Sequence, residues 1–578
     1  MGWLRGLGRG AGIGLWIAVL APALVLAPAA FLDRGPGRSA RPTVFPLALV
    51  TLDPVVWDCV WNSLTVATVV ASGSLVAGVG LARALVRWRF RGRTPLAALA
   101  LATLVIPPLF EAMGLRRLFE LWRGAGAPAA WEHGWGWVGW AWVGLAGGVP
   151  LVALASATAL ARVEPAWEDA ARLAGASRLW TWWRLTWPIV RPSAAGAAGA
   201  VFTLTLAEPG APLVLGLRRT LGFQIVEAAL GPDPAPRAAV LALAAVVLST
   251  AARVLLRRWG GRPAAGLSNL PVARTEAARW PRALGLNLML GSWALLAWLP
   301  ALVVMSSALA PDPTAPPTVA RPSAGAFLRR LSEPPAGRLI ANSVALGLAV
   351  VAIDLALARA LTAGRQGGGL ATTAWPVAMP PLALGVGGLA LPGLLQMGAD
   401  ALRAAGGREA LARGLGVIAD GLDPGRTPGV LLVAVAAAAR LPMLARAIEA
   451  GRQRSRRAPV EAALLLGATA GEARRVASAG WLGATPGALA LTLALAATDL
   501  APALVLCPSI ESRTIAPGAL ILADEPGDGR PRAAALASVA IALNVLALAL
   551  AGSDRHVPLA SWCWPRDPSP LGEGSSQG

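Results

Sequence analysis

Lysine and tyrosine do not occur anywhere in the 578 residues, histidine occurs twice and cysteine three times, and charged residues make up only 14% of the chain. Each shortage removes a class of function. A GxxxxGK[ST] loop needs a lysine to reach the β- and γ-phosphates of a nucleotide. A chain without lysine holds no such loop, so it is not expected to hydrolyse ATP through one. Cys59, Cys507 and Cys563 lack paired metal-ligand spacing, and His133 and His556 stand alone. No zinc or haem centre is expected, nor any other metal or cofactor. So little charge cannot clothe a soluble chain of this length. The formal net charge of +20 comes from arginine alone, spread through the loops between apolar runs. Lys and Tyr scarcity beside abundant Ala, Gly, Pro and Arg is the mark of a GC-rich genome, and without one basic stripe no nucleic-acid partner is expected.

What is present is apolar. Hydrophobic residues form 56% of the sequence, and the mean hydropathy is +0.59. Ala11–Phe31, Asn62–Leu85 and Ala484–Leu506 are each about the ~20 residues that cross a bilayer core as a helix. Short alternating segments of the β-barrel kind are not found. The chain reads as an all-α integral membrane protein of about 12 transmembrane helices. The expected spans lie near 11–31, 61–85, 95–115, 136–158, 196–215 and 238–256, then near 284–308, 339–361, 370–395, 428–448, 484–506 and 533–551. The apolar run after MGWLRGLGRG imitates a secretory leader but is long enough to span, so an uncleaved first helix is expected. The dense basic stretches VRWRFRGR (Val86–Arg93), LLRRWGGR (Leu255–Arg262) and GRQRSRR (Gly451–Arg457) all fall on the side of the N-terminus. That side, with both termini, is expected to be cytoplasmic.

The chain repeats itself. WNSLTVATVV (Trp61–Val70) recurs as ANSVALGLAV (Ala341–Val350), and VIPPLFEAMGL (Val105–Leu115) as AMPPLALGVGGL (Ala378–Leu389). Pro150 lies 19 residues before Asp169, and Pro442 lies 19 before Glu461. These matches divide the chain into a six-span half over 1–258, a linker over 259–283, a second half over 284–551 and a Pro/Ser/Gly tail over 552–578 expected to be disordered. An even number of spans per half makes the halves parallel repeats.

Between two apolar spans of the first half lies EDAARLAGASRLWTWWRLTWP (Glu168–Pro188). Acids in its first turn favour a helix, Gly175 ends it, and a Trp-rich second helix follows, with Pro188 and Pro192 starting the return into the membrane. Trp180, Trp182, Trp183 and Trp187 suit an interfacial belt. The second half carries PVEAALLLGATAGEARRVASAGW (Pro459–Trp481), in which Glu461-Ala462-Ala463 and Gly467 repeat the spacing of Asp169-Ala170-Ala171 and Gly175. Small residues after an acid let another protein approach closely, so these are docking elements, with Glu168 beside them.

An acid, two alanines, three residues, a glycine and a proline thirteen positions on resemble the EAA loop of binding-protein-dependent ABC importer permeases. In the second copy Gly480 takes the proline position and the loop is one residue short. The resemblance implies the type I permease architecture, an external or periplasmic solute-binding protein, and two copies of a cytoplasmic ABC ATPase seated on loops 164–188 and 459–481. It also implies a multi-pass protein of the bacterial inner membrane, itself no enzyme. Two fused halves, with AEPGAPLVL (Ala207–Leu215), resemble the ferric-iron permeases, thiamine permeases being close behind. Ferric iron is therefore the expected solute, with thiamine, a polyamine or an anion open. The rival is a gradient-driven secondary transporter of twelve spans, which has no use for paired docking loops.

Acids inside spans are costly and default to function. Glu208 and Asp499 occupy equivalent positions in the span after each docking loop, and could line a central path and favour a cation. Asn62 and Asn342, each followed by serine, begin the second span of each half. They are candidates for the path or for bonds to neighbouring segments. Asp354 is expected to pair locally with Arg359 or to make a packing contact, its counterpart in the first half being Ser74. Pro107-Pro108 and Pro380-Pro381 are expected to break their spans.

Overall fold

The structure is a computed structural model and describes residues 21–33, 41–42, 45–124, 132–231, 234–261, 276–310, 322–362, 379–405, 409–454, 464–469, 472 and 485–553. Among them all strands are two-residue pieces, and everything else regular is helical. Ala, Leu and Val bury no polar group in a helix, and in hydrocarbon a helix is the one open element that satisfies its own backbone. The longest helix, Pro54–Arg87, shows how the ends are set. Asp53 caps it by accepting the Val55 N–H at 2.9 Å, and Pro54 occupies the first turn, where its missing N–H costs nothing.

Nine helices among the described residues are long and apolar enough to cross a membrane, and a bent pair adds a tenth crossing. The bend lies where Pro107-Pro108 was expected to break the span. Arg93–Val105 and Pro108–Gly124 meet at 103°. Proline forces the preceding residue toward extended backbone, and Ile106 sits at φ −76°, ψ 120°. Several expected spans need correction. That of 196–215 begins earlier, as Arg178–Leu206, breaks at 207–209 and resumes as Gly210–Leu215. The span expected over 484–506 is broken in the same way at 498–500, between Thr485–Ala497 and Ala501–Leu506. The span expected over 370–395 is Pro381–Ala404, and residues 363–378 lie outside the described set. The first span is described from residue 21, as a helix over 21–29. Two short helices replace stretches taken from the sequence as loops, Leu221–Ala229 and Ile515–Leu522.

The early and late parts of the chain interlock. Gly114 on the bent pair lies against the Pro300 carbonyl of Trp280–Leu309, and Gly387 on Pro381–Ala404 lies against the Pro22 carbonyl; a Cβ at either glycine would overlap that oxygen. The indole of Trp298 adds a hydrogen bond to the Leu99 carbonyl at 2.9 Å. Early and late segments thus meet at close backbone approaches, and the two largest buried apolar clusters both mix residues from the early and late parts.

Candidate functional site

The first candidate docking loop stands off the body. Its helix, Pro165–Leu173, buries none of its residues. Gly175 ends it with φ +88°, and the bonds Ala176 N–H to Ala171 O (3.0 Å) and Gly175 N–H to Arg172 O (2.9 Å) form the paired closure that uses a glycine in the left-handed region. Ser177 then caps the next helix by accepting the Trp180 N–H at 3.2 Å. From Arg178 the chain runs through a π-helical turn, Trp182–Thr186, into the span without a stop. The return into the apolar body therefore starts ten residues before Pro188, which is absorbed in the first turn of Trp187–Leu206. Asp169 and Ala170 are exposed and Ala171 is half-buried.

Glu168 has a different place from the one expected. Its carboxylate accepts from Arg87 Nη2 at 2.6 Å and from the Thr186 hydroxyl at 2.8 Å. It ties the loop to two spans and is not free to meet a partner. Beside it Arg83 stacks over Trp182 at 4.7 Å, and Trp88–Arg89 pairs in parallel with Glu276–Ala277 from the linker.

In the second candidate loop, Glu461, Ala462 and Ala463 lie outside the described residues, as does Gly480. The described part repeats the first. Gly467 has φ +85° and bonds to the Leu464 carbonyl at 3.1 Å. Two residues on, Thr469 and Glu472 cap each other reciprocally, at 2.8 and 3.4 Å. The Thr469 N–H and hydroxyl hold the Glu472 carboxyl below its usual pKa. In both loops the leucine two positions before the glycine is almost fully solvent-facing, Leu173 at 90% and Leu465 at 88%. Sequence reasoning passed over these leucines, because nothing in an apolar chain marks one leucine as exposed.

Glu208 and Asp499 are brought together. Each lies in one of the two helix breaks, and both line a cavity of about 260 Å³ enclosed by early and late segments. Neither carboxylate is idle. Glu208 accepts the N–H groups of Gly210 and Ala211 at 2.6 and 2.9 Å, so it caps the helix that follows. Asp499 is paired at 2.6 Å with Arg440, whose Nη2 also reaches the Leu495 carbonyl at 3.3 Å. The bent pair closes another wall. Its Val105 carbonyl accepts from Asn544 Nδ2 at 2.9 Å, and Asn544 also bonds the Thr498 hydroxyl at 3.0 Å. Arg440 and Asn544 were missed, although each is a lone polar side chain in an apolar stretch of its helix, AAAARLPML and IALNVLAL. Glu111, fully buried with Oε1 unpartnered, was missed likewise.

Three expectations shift. Asn62 and Asn342 do not line the cavity, and they sit inside their helices instead of at the ends. Asn62 donates to the Arg219 carbonyl at 3.1 Å, and Asn342 to those of Glu511 and Arg513 at 2.8 and 3.0 Å. Ser63 and Ser343 accept the N–H groups of Leu221 and Ile515, both at 2.8 Å. Each Asn-Ser pair thus anchors the loop that leads into a short helix. Asp354 is fully buried and does not bond to Arg359. Neither of its oxygens has a hydrogen-bond partner, and the charge acting on it is that of Arg440.

Residues 74–261 match the family described as binding-protein-dependent transport system inner membrane component. The molybdenum transport system permease protein ModB of Escherichia coli (strain K12) is 27% identical over 233 residues, covering 37% of this chain and 96% of that protein. A probable molybdenum ABC transporter permease protein of Haloferax volcanii is 31% identical over 180 residues, covering 31% of this chain and 66% of that protein. Both relatives carry molybdenum in their names where the resemblance pointed to iron.

Proposed function

Because residues 74–261 place this chain among the binding-protein-dependent ABC importer permeases, we propose that it is a fused pair of permease halves carrying an oxyanion inward. The halves are 1–258 and 284–551, joined by a cytoplasmic linker over 259–283, and both termini are cytoplasmic. Two copies of a separate ATPase seat on the loops 164–188 and 459–481, and a periplasmic or extracellular binding protein delivers the solute. Nucleotide-driven closure of the ATPase pair then rocks the halves about the cavity.

The observation that carries the docking reading is the recurrence of one local structure. An exposed turn ends at a left-handed glycine with a bare leucine two residues before it, and two residues after it a Ser or Thr side chain accepts the N–H three positions on. A monomer gains nothing by exposing leucine at about nine-tenths, whereas an apolar pocket on a partner does. Asp169 and Ala170 flank the first leucine and are open to that partner. A gradient-driven carrier offers no role for such turns.

For the solute, the named relatives favour molybdenum, which water presents as an oxyanion. The acids agree with this choice. Glu208 is spent on backbone N–H groups and Asp499 on Arg440, so the cavity holds no free carboxylate pair for ferric iron.

Gentle extraction of the full chain from its host tests the reading. A stoichiometric ATPase is expected to accompany the wild-type protein and to be lost from Leu173→Asp/Leu465→Asp. Uptake of labelled molybdate by vesicles holding the complex and its binding protein is expected, with ferric citrate not competing. Retention of the ATPase by the double variant sinks the docking assignment, and competition by ferric citrate sinks the solute.

A further inference from the structure

Arg440 is a costly residue. It lies in the apolar helix Pro428–Arg454, its side chain is 23% exposed, and its Nε is buried without a partner. Both of its hydrogen bonds leave from Nη2, toward Asp499 and the Leu495 carbonyl. Among the described residues Nη1 has no protein acceptor, and the residue lines the cavity that also holds Glu208 and Thr498. One guanidinium therefore holds one carboxylate, Asp499, and turns its remaining donors toward the cavity.

The early part of the chain cannot copy this arrangement. The position equivalent to Arg440, counted from the Pro150 and Pro442 correspondence, is Gly148, and that equivalent to Asp354 is Ser74. Gly148 lies so close to the Ser74 hydroxyl that even a Cβ would overlap it. The late segments therefore put a cation on the cavity lining, where the early segments put Gly148 among apolar side chains such as Val143 and Leu151.

We propose that Arg440 is the anion contact of the translocation cavity, and that Asp499 is the internal competitor that keeps its hold on the solute weak. This rests on the importer reading above and specifies its solute site. A path has to bind an ion well enough to admit it and loosely enough to release it. An arginine offers planar paired donors to an oxyanion, and left alone in a dry cavity it would hold that anion too long. With Asp499 already on Nη2, the solute meets a partly neutralised cation.

The test uses the full chain with its ATPase and binding protein in proteoliposomes, with labelled molybdate as probe. Arg440→Gln is expected to raise the half-saturating concentration about tenfold or more, the worth of one charge-assisted hydrogen bond. Arg440→Lys is expected to fall in between. Asp499→Asn is expected to move the other way, with a lower half-saturating concentration and a lower maximal rate, because release slows. A merely structural role for the pair would damage both variants in the same direction, and that result overturns the proposal. So does Arg440→Gln transport indistinguishable from wild type, which leaves the importer reading standing. If the wild-type complex takes up a ferric chelate and no oxyanion, the functional reading and this site fall together.

Discussion

Single side chains divide here into those that reach outward and those that hold the frame. Glu168 belongs to the second group, although the motif placed it in the first. With Arg87 it forms a pair whose side chains are 14% and 15% exposed, so each partner stabilises the other in poor solvent. Glu168→Ala and Arg87→Ala are each expected to lower the thermal stability of the ATPase-bound complex, and the double variant to add little beyond either. Additive losses in that double-mutant cycle would rule the pair out as a unit. Gly175 is the contrasting case. Nothing lies within 4 Å of where its Cβ would sit, so Gly175→Ala meets backbone strain alone. That strain is about 1–2 kcal/mol, local to the loop. ATPase retention is expected to fall about tenfold while the melting of the permease alone stays unchanged. Asp169, Ala170 and Gly175 could be found by motif. Leu173, Leu465, Arg440 and Asn544 needed the fold, since spacing does not record which apolar residue is bare or which polar one meets a partner from far along the chain.

Among elements, the broken helices matter most. The Pro107-Pro108 break was legible, because proline removes a donor and disfavours helix in the residue before it. The breaks at 207–209 and 498–500 were hidden inside apolar runs that look continuous, and each is held open by a different contact: the Glu208 cap in one, the Arg440–Asp499 pair in the other. Asn544 joins the first break to the third by bonding both the Val105 carbonyl and Thr498. Asn544→Leu leaves a buried carbonyl without a donor, a loss of about 1–3 kcal/mol. Lower stability in detergent and weaker solute uptake are expected together, and unaltered stability would show that the carbonyl finds another donor. The short helices Leu221–Ala229 and Ile515–Leu522 were taken for loops because their apolar stretches fall below the ~20 residues that span a bilayer.

Taken as one body, the molecule is held by crossed contacts between early and late segments, Gly114 on Pro300 and Gly387 on Pro22. Either glycine replaced by valine forces helices apart at a backbone-to-backbone approach, an overpacking cost of about 1–3 kcal/mol or more. Gly114→Val and Gly387→Val are both expected to yield protein that aggregates on extraction, whereas Gly175→Val extracts normally without its ATPase. Normal extraction of Gly114→Val would show that the crossing is not a clamp. Sidedness is a separate prediction. Cys59 and Cys507 are buried, so an impermeant maleimide is expected to label Cys563 alone, and only in inside-out vesicles. Labelling of right-side-out vesicles would reverse the orientation drawn from the arginine-rich loops.

The class of protein, the order of its apolar runs, the repeated motifs and the left-handed glycines Gly175 and Gly467 were all decided along the chain. Hydropathy, proline and glycine act through neighbours a few residues away, so they survive in a linear reading. The tertiary structure alone decided that Glu168 faces inward, that the Asn-Ser pairs clasp loops, that Arg440 pairs with Asp499, and that Glu208 and Asp499 share one cavity. Those facts depend on which segments meet across hundreds of residues. In a chain made largely of Ala, Leu, Val and Gly, many helix faces are nearly alike, and only close packing chooses among them.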